Sequence, residues 1–186
     1  CEVNATFLKL YKEFCPGPIT FVLKLKKNNK ISKNVNNKKS NLAIRFPSHT
    51  LTRKLLKSLN YPLAAPSANI SSRVSAVSKM DVIEEFGDKI KFILDGGSSK
   101  IGLESTIVSL IDKPKILRLG SISVNKIKNV IKNKINFEKN SRNIVVPGQG
   151  KLHYSPGIKI RLNIKNPKQH EAFILIKKRK KNDKNY

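Results

Sequence analysis

The sequence predicts a domain of mixed α/β or α+β class, in which helices flank a sheet. Two observations support this prediction. Apolar residues at helical spacing alternate along the chain with short runs of β-forming residues, the pattern of a sheet covered by helices. The hydrophobic fraction of 39% is sufficient for a core, and 186 residues make one domain of ordinary size with a short annex.

Two helices and two strands are predicted in the first part of the chain. Apolar residues at helical spacing indicate a helix over residues 3–14, which a Pro-Gly-Pro segment ends. β-forming residues indicate strands over 19–25 and 41–46, joined by a solvated loop of Lys, Asn and Ser over 26–40. A second helix is expected to begin after Ser48, its predicted N-cap.

Strands and helices continue to alternate in the middle of the chain. Short apolar runs predict strands over 61–66 and 91–94, and Ser78 is expected to cap the helix between them. A tight turn is predicted at Asp95-Gly96-Gly97. Three further elements follow, namely strands over 105–110 and 115–118 and a helix from Ser123 to about residue 135.

The composition changes after residue 138. Residues 139–162 are rich in Pro and Gly and lack periodicity, so we interpret them as an interdomain linker or active-site arm. An apolar run over 171–176 predicts one strand of a second, small domain, which would begin within 163–186. The predicted organisation is a first domain over 1–138, the linker, and the start of the second domain.

The formal charge of +26 comes from 38 basic and 12 acidic residues. One interpretation is a nucleic-acid partner, because clustered Lys and Arg neutralise phosphates. The other is nucleotide bias, because only seven of the basic residues are Arg and the chain is rich in Lys, Asn and Ile, which have A/T-rich codons. The Lys residues are scattered as well as clustered, so both interpretations stay open.

Composition also excludes several kinds of protein. Two cysteines, Cys1 and Cys15, make neither a disulfide framework nor a metal site, and none of the three His pairs with Cys at ligand spacing. No apolar run reaches the ~20 residues of a membrane span, and no signal peptide is recognisable. We therefore predict a cytoplasmic protein without a membrane partner. The start at Cys1 and the polar tail suggest a fragment.

Groups that bind anions lie at the predicted strand ends. Arg45 and Arg118 each end a strand, Ser67 and Asn69 follow another, and Ser105 begins a fourth. Loops converge at strand ends in α/β sheets, where guanidinium, hydroxyl and amide groups hold phosphates and carboxylates. No nucleophile with a base, carboxylate pair or His pair is recognisable. These residues therefore predict a site that binds an anionic small molecule and positions it for reaction.

Several motifs follow one another in the order found in a known family. They are Phe14-Cys15-Pro16-Gly17-Pro18-Ile19-Thr20, Ala43-Ile44-Arg45-Phe46-Pro47, Ala65-Pro66-Ser67-Ala68-Asn69-Ile70-Ser71, Asp95-Gly96-Gly97, Glu104-Ser105-Thr106-Ile107-Val108 and Ile116-Leu117-Arg118-Leu119-Gly120. They resemble motifs of the YrdC-like threonylcarbamoyl-AMP synthases, whose most distinctive motif is Ala-Pro-Ser-Ala-Asn-x-Ser-Gly. Pro147-Gly148 and His153-Tyr154-Ser155-Pro156 resemble the linker of the longer, two-domain members.

The resemblance implies a YrdC-like fold, with a twisted, mostly mixed sheet, and a definite reaction. L-Threonine, bicarbonate and ATP would give threonylcarbamoyl-AMP and pyrophosphate, with Mg²⁺ as the expected metal. The tRNA threonylcarbamoyl-transferase complex would then transfer the threonylcarbamoyl group to an adenosine next to the anticodon of tRNA.

The resemblance also implies roles for individual residues. Threonine would be bound by Arg45, through its carboxylate, by the backbone of Ala65 and by Ser105. ATP would be bound by Ser67, Asn69, Ser75, Arg118 and Tyr154. No residue is assigned as a catalytic acid, base or nucleophile, because catalysis would rest on positioning the three substrates.

Some features depart from the family's pattern. The family's N-terminal strand and Lys-x-Arg segment have no counterpart in this sequence, so the chain alone is expected to be inactive. Ser72 and Ser109 stand where the motifs have Gly and Asp. Two other functions are weighed: a YrdC-like module that binds tRNA or double-stranded RNA by shape, and the related carbamoyl-transfer domain of hydrogenase maturation proteins. The linker at 153–156 argues against the latter.

Overall fold

The structure, a computed structural model, describes residues 1–36, 38–71, 73–132, 135–137 and 158–174. It divides into two units, Cys1–Pro156 and Gly157–Tyr186. The domain boundaries predicted near residues 138 and 162 remain predictions.

A mixed sheet organises the first unit. Its strands are β1 (Ile19–Lys24), β2 (Asn41–Arg45), β3 (Thr106–Ser109), β4 (Lys115–Arg118) and β5 (Asn136–Phe137). Their order across the sheet is β2-β1-β3-β4-β5. β1 is antiparallel to β2 and parallel to β3, whereas β4 is antiparallel to β3 and parallel to β5. This arrangement confirms the predicted mixed sheet of an α/β or α+β domain.

Two of the helices contribute buried residues to the core against this sheet. The described residues form α1 (Ala5–Phe14), α2 (Thr50–Lys57), α3 (Lys79–Phe86) and α4 (Val124–Ile131). Leu10 of α1 and Ile127 of α4 share one core cluster with Phe21 of β1 and Ile116 of β4, and all four side chains are fully buried. Burial of each such side chain stabilises the fold by about 1.5–3 kcal/mol. Among the helices that the structure describes, none is long and apolar enough to cross a membrane.

The helix caps agree with the prediction at α3 and differ from it at α2. The Ser78 hydroxyl accepts a hydrogen bond from the backbone N–H of Asp81 at 3.2 Å, and the Asp81 carboxylate accepts one from the N–H of Ser78 at 3.0 Å. At α2 the predicted Ser48 cap is wrong. The ring of His49 is the cap instead, because its Nδ1 accepts a hydrogen bond from the N–H of Thr52 at 3.4 Å.

Replacing Ser78 with Ala is expected to lower the free energy of unfolding by about 1 kcal/mol, because the first turn of α3 loses an acceptor for its backbone N–H groups. Ser48→Ala is the matched control and is expected to change that free energy by less than about 0.5 kcal/mol. Urea denaturation followed by circular dichroism measures both variants. Equal losses in the two variants would show that the caps are wrongly assigned.

Three predicted strands are wrong within the part of the chain that the structure describes. Residues 61–66 and 91–94 have no paired strand beside them, and Phe92 is 91% exposed. Residues 171–174 are irregular, and the rest of the predicted strand lies outside the described residues. The β-forming composition misled the prediction because strand propensity reflects fit to a sheet surface, which these segments do not contact.

The last predicted helix is too long. α4 ends at Ile131 because Lys132 adopts a left-handed conformation, with φ of 55° and ψ of 18°. The Lys132 N–H still donates to the carbonyl oxygen of Lys128 at 2.9 Å, which closes the last turn. β5 then pairs with β4, although the sequence pattern had indicated no strand there.

The second unit is irregular over its described residues, 158–174. An ion pair joins Arg161 to Glu171, with 2.5 Å between Nη2 and Oε2. The hydrogen bond from Arg161, together with one from the Lys168 backbone, lowers the pKa of Glu171 to about 2. Both side chains are accessible to solvent, so the pair orders the segment locally and adds little stability.

Candidate functional site

Four polar side chains meet at one edge of the sheet, the edge at which β2 and β4 end and β1 and β3 begin. Arg45 and Arg118 end β2 and β4, whereas Thr20 and Ser105 lie at the start of β1 and just before β3. The register brings them together, since Thr20 pairs with Arg45 across β1 and β2, and Ile107 pairs with both Thr20 and Arg118. We call these four residues the arginine–hydroxyl cluster.

The hydroxyl of Ser105 is the centre of this cluster. Its Oγ accepts hydrogen bonds from Nη2 of Arg45 at 2.5 Å and from Nη2 of Arg118 at 3.3 Å. Arg118 also donates from Nη2 to the Ser105 carbonyl oxygen at 3.0 Å. Oγ1 of Thr20 lies 2.7 Å from Oγ of Ser105. Because Ser105 is only 2% exposed, these contacts fix both guanidinium groups against a buried residue.

The two guanidinium groups make the cluster positive. Partial burial of its guanidinium and the neighbouring charge of Arg118 lower the pKa of Arg45, and the Glu104 carboxylate opposes this shift. Arg45 nevertheless stays charged at neutral pH, because a guanidinium is effectively always protonated in proteins. Since like charges held close together repel, a bound anion would stabilise the pair. The cluster is therefore suited to a carboxylate or a phosphate.

Arg45 keeps one edge of its guanidinium available. Of the five N–H donors of a guanidinium, Nε–H donates to Oγ1 of Thr20 at 3.2 Å and one Nη2–H donates to Oγ of Ser105. Among the described residues, none accepts a hydrogen bond from Nη1, and Arg45 is exposed. An edge formed by Nη1 and Nη2 can bind a carboxylate through two parallel hydrogen bonds.

A second contact links the cluster to the segment before α3. The hydroxyl of Ser75 donates to Oε1 of Glu104 at 2.6 Å, and Glu104 directly precedes Ser105. This bond places a predicted nucleotide-binding hydroxyl beside the start of β3.

The segment that carries Ala65, Ser67 and Asn69 is irregular. Ala65 and Ser67 are exposed. Nδ2 of Asn69 donates to the carbonyl oxygens of Ile70 at 2.9 Å and Arg73 at 3.1 Å, which orders the loop. Oδ1 of Asn69 is buried and has no hydrogen-bond partner in the described part of the chain, so it could accept a hydrogen bond from a ligand.

The structure thus brings Arg45, Ser105 and Arg118 together and places Ser75 beside them. Hydrogen bonds of the described residues do not connect Ala65, Ser67 or Asn69 to the arginine–hydroxyl cluster. Tyr154 lies outside the described residues.

Gly120 shapes the same edge through its lack of a side chain. A Cβ atom at this position would lie 2.5 Å from the backbone carbon of Ser105 and 2.5 Å from the backbone nitrogen of Thr106. The chain after β4 therefore runs directly against the chain before β3. Only glycine permits this approach, because any side chain would force the two segments apart.

Comparison with known proteins places this geometry in a family. The family model described as "Telomere recombination", which covers Sua5, YciO and YrdC proteins, matches residues 1–120. The chain belongs to the Sua5/YciO/YrdC family. This membership confirms the resemblance to YrdC-like proteins inferred from the sequence motifs.

Curated relatives of this Sua5/YciO/YrdC protein carry the name threonylcarbamoyl-AMP synthase. The one from Pyrococcus abyssi is 36% identical over 156 residues, which is 81% of this chain and 45% of the relative. The one from Schizosaccharomyces pombe is 35% identical in an alignment that covers 95% of this chain and 46% of the relative. The chain therefore spans about half the length of these relatives.

A solved structure is also similar to this family member. The crystal structure of P. abyssi Sua5 complexed with L-threonine superposes with a TM-score of 0.77 at 34% identity, covering 83% of this chain and 46% of that chain. The similarity confirms the YrdC-like fold.

Two residues of this Sua5/YciO/YrdC chain shape the site although the sequence motifs predicted no role for them. Thr20 and Gly120 both lie in motifs that were recognised, but neither was assigned a role. The signal for Thr20 is its cross-strand pairing with Arg45, which depends on strand register and is therefore absent from the motif itself.

Proposed function

We propose that this chain forms the threonine- and nucleotide-binding part of an L-threonylcarbamoyladenylate synthase. The observation that carries the proposal is the convergence of Arg45 and Arg118 on the buried hydroxyl of Ser105. It is supported by the relatives named threonylcarbamoyl-AMP synthase and by the P. abyssi Sua5 complex with L-threonine. The reaction would convert L-threonine, bicarbonate and ATP into threonylcarbamoyl-AMP and pyrophosphate.

Threonine would bind at the arginine–hydroxyl cluster through its carboxylate. The Nη1–Nη2 edge of Arg45 offers two parallel N–H donors, a geometry that suits a carboxylate better than the point charge of a lysine does. Ser105 would hold Arg45 in place and contact the amino acid, while the backbone of Ala65 would line the pocket.

ATP would be bound by residues around the same edge. Arg118 would offset phosphate charge. Hydrogen bonds to the nucleotide would come from Ser75, Ser67 and Asn69. Oδ1 of Asn69 supports this role, since it is buried without a partner among the described residues. Tyr154, predicted to cover the nucleotide, is part of the proposal through the sequence motif alone.

The chemistry needs positioning more than a reactive side chain. The amine of threonine and bicarbonate would first form a carbamate with loss of water, and one carbamate oxygen would then attack the α-phosphorus of ATP. That oxygen–phosphorus bond forms as the bond from the α-phosphorus to the bridging oxygen breaks, and pyrophosphate leaves. Arg118 would stabilise the charge on the phosphate oxygens, and Arg45 would hold threonine in register for the attack.

Mg²⁺ would accompany the ATP phosphates. This ion commonly binds through one or two carboxylates together with substrate phosphates. No group of three or more His, Cys, Asp or Glu side chains gathers within the described ranges. Among these residues, the ion would therefore have few protein ligands. The Glu104 carboxylate lies beside the cluster and could supply one such ligand, which fits an ion held chiefly by phosphate.

The product would be used on tRNA. We propose that the tRNA threonylcarbamoyl-transferase complex receives threonylcarbamoyl-AMP from this protein in the cytoplasm and transfers the threonylcarbamoyl group to an adenosine.

Pyrophosphate release by the complete gene product tests this function. The protein is given ATP, bicarbonate and Mg²⁺ with L-threonine, L-serine or L-valine. We expect pyrophosphate to require an amino acid and L-threonine to be preferred, because serine lacks the methyl group and valine lacks the hydroxyl. Release that is equal for all three amino acids, or that occurs without any, would contradict the proposal.

A second candidate is an RNA-binding module, and one surface favours it. The loop between β1 and β2 carries exposed lysines in a stretch without acidic residues, namely Lys26, Lys27, Lys30, Lys33, Lys38 and Lys39. Phosphate contacts of this kind weaken steeply with salt, by about a thousandfold or more between 50 and 200 mM for six of them. Specific tRNA binding with that salt dependence, in a protein that does not bind threonine, would favour this candidate.

A further inference from the structure

Thr20 is a buried polar residue of β1, and its hydroxyl makes two contacts within the arginine–hydroxyl cluster. It is 8% exposed, and its Oγ1 accepts the Nε–H of Arg45 at 3.2 Å while lying 2.7 Å from Oγ of Ser105. A valine would fill the same volume in a strand of this kind, so packing alone does not require a hydroxyl here.

The neighbouring donors determine which hydroxyl donates in the hydrogen bond between Ser105 and Thr20. Oγ of Ser105 accepts from Arg45 and from Arg118, which uses both lone pairs that a hydroxyl oxygen has. Its own O–H therefore donates to Oγ1 of Thr20, and Thr20 in turn accepts from Nε of Arg45. Thr20 thus acts as the acceptor at which the hydroxyl of Ser105 and the guanidinium of Arg45 meet.

Two acceptors hold one side of the Arg45 guanidinium. A planar guanidinium with Nε and Nη2 both bonded can rotate little about its last side-chain bonds. The remaining edge, formed by Nη1 and the outer hydrogen of Nη2, then keeps a single direction. Loss of the Thr20 acceptor would leave only the Nη2 bond to Ser105, about which the group can swing.

We propose that Thr20 is a positioning residue that fixes the Nη1–Nη2 edge of Arg45 for the carboxylate of threonine. The inference rests on the proposed function and adds to it a residue that does not itself contact the substrate. Preorganisation of this kind raises affinity because less freedom is lost when the ligand binds.

Thr106 provides a matched control. It is a buried threonine at the start of the adjoining strand and pairs with Ile19, the residue before Thr20. Its Oγ1 donates to the carbonyl oxygen of Ile122 at 2.8 Å and accepts from the N–H of Ile122 at 3.1 Å. These two bonds tie β3 to the chain before α4 and do not involve Arg45, so Thr106→Val removes a structural hydroxyl alone.

The test compares four variants of the complete gene product by threonine binding, kinetics and thermal unfolding. We expect Thr20→Val to raise the KM and Kd for threonine by roughly threefold to tenfold, a smaller loss than in Arg45→Ala because Arg45 still contacts the carboxylate, with the KM for ATP and kcat nearly unchanged. Thr20→Ser should restore threonine binding because it returns the acceptor. Thr106→Val should lower the Tm without this selective change in threonine affinity. Thr20→Ala gives the same comparison if the valine variant does not fold.

Two further readouts separate positioning from structural support. In an Arg45→Ala background, Thr20→Val should cause no additional loss of threonine affinity, since it acts through Arg45. Proton exchange at Nε–H of Arg45, followed by nuclear magnetic resonance, should become faster in Thr20→Val and stay slow in Thr106→Val.

The outcomes distinguish this inference from the proposed function. Unaltered threonine binding in Thr20→Val, or equal losses for threonine and ATP in both valine variants, would overturn the positioning role alone. Failure of the unchanged protein to bind threonine would overturn the proposed function and this inference together.

Discussion

Replacing Arg45 with Ala is expected to weaken threonine binding by at least about thirtyfold, because hydrogen bonds to charged groups contribute about 1.5–3 kcal/mol each. The loss has two sources. The carboxylate would lose two parallel hydrogen bonds, and Ser105 would lose the shortest donor in the cluster, at 2.5 Å. Isothermal titration calorimetry with L-threonine measures the change directly.

Arg45→Lys should also bind threonine poorly. An ammonium group keeps the charge, but it lacks the planar guanidinium that can donate to Thr20, Ser105 and a carboxylate at the same time. Arg53→Ala is the control. Arg53 is an exposed arginine of α2 outside the cluster, so its loss removes the same charge from the protein without altering the site. Equal effects of Arg53→Ala and Arg45→Ala would mean that overall charge, and not this guanidinium, governs binding.

Replacing Gly120 with Ala is expected to remove threonine binding and to lower the free energy of unfolding by about 1–3 kcal/mol, as overpacking in a tight region does. The added Cβ would lie 2.5 Å from backbone atoms of Ser105 and Thr106, which no rotamer change can relieve. The start of β3 would have to move, and the Ser105 hydroxyl that joins both arginines would move with it.

Gly87→Ala separates this effect from the general cost of replacing a glycine. Gly87 has a φ of 51°, and no atom lies within 4 Å of an added Cβ. A φ of 51° with a ψ of −134° is a conformation that residues other than glycine rarely adopt, so the control should lose about 1–3 kcal/mol through backbone strain while it keeps threonine affinity. Chemical denaturation and calorimetry of both variants provide the comparison. Normal threonine affinity in Gly120→Ala would show that the close approach does not support the site.

The strands that the sequence predicted well all pair with neighbours in the sheet. β4 has the predicted bounds, Lys115–Arg118, and β1 differs from its prediction by one residue. In both cases β-forming residues are bounded by turn residues, and the same residues are buried by their neighbours. Local pattern and tertiary packing agree at these positions, which is why the pattern was sufficient.

The predictions of strands at 61–66 and 91–94 are wrong because local pattern and tertiary packing disagree there. Their apolar, β-forming composition is local, whereas a strand needs a backbone partner, and no described segment supplies one. The cap of α2 failed differently. Ser48 is a good capping residue by type, but the His49 ring reaches the N–H of Thr52, and residue type alone does not decide between adjacent candidates.

The candidate site could be predicted in part for a physical reason. Arg45, Ser105 and Arg118 were expected near one another because strand ends share an edge of the sheet. The role of Thr20 could not be predicted, since it depends on the register that pairs it with Arg45. The motif around Asn69 gave candidate ligands but no geometry, because an irregular loop has no periodicity from which to infer contacts.

Synthesis of threonylcarbamoyl-AMP from isotopically labelled bicarbonate is the most direct test of the proposed synthase function. The complete gene product is incubated with ¹³C-bicarbonate, L-threonine, ATP and Mg²⁺, and the nucleotide products are analysed by mass spectrometry. We expect threonylcarbamoyl-AMP that carries the label, formed together with pyrophosphate and lost in both Arg45→Ala and Arg118→Ala. Pyrophosphate without a labelled adenylate would contradict the proposed synthase function, and a labelled product that persists in both variants would contradict the proposed site.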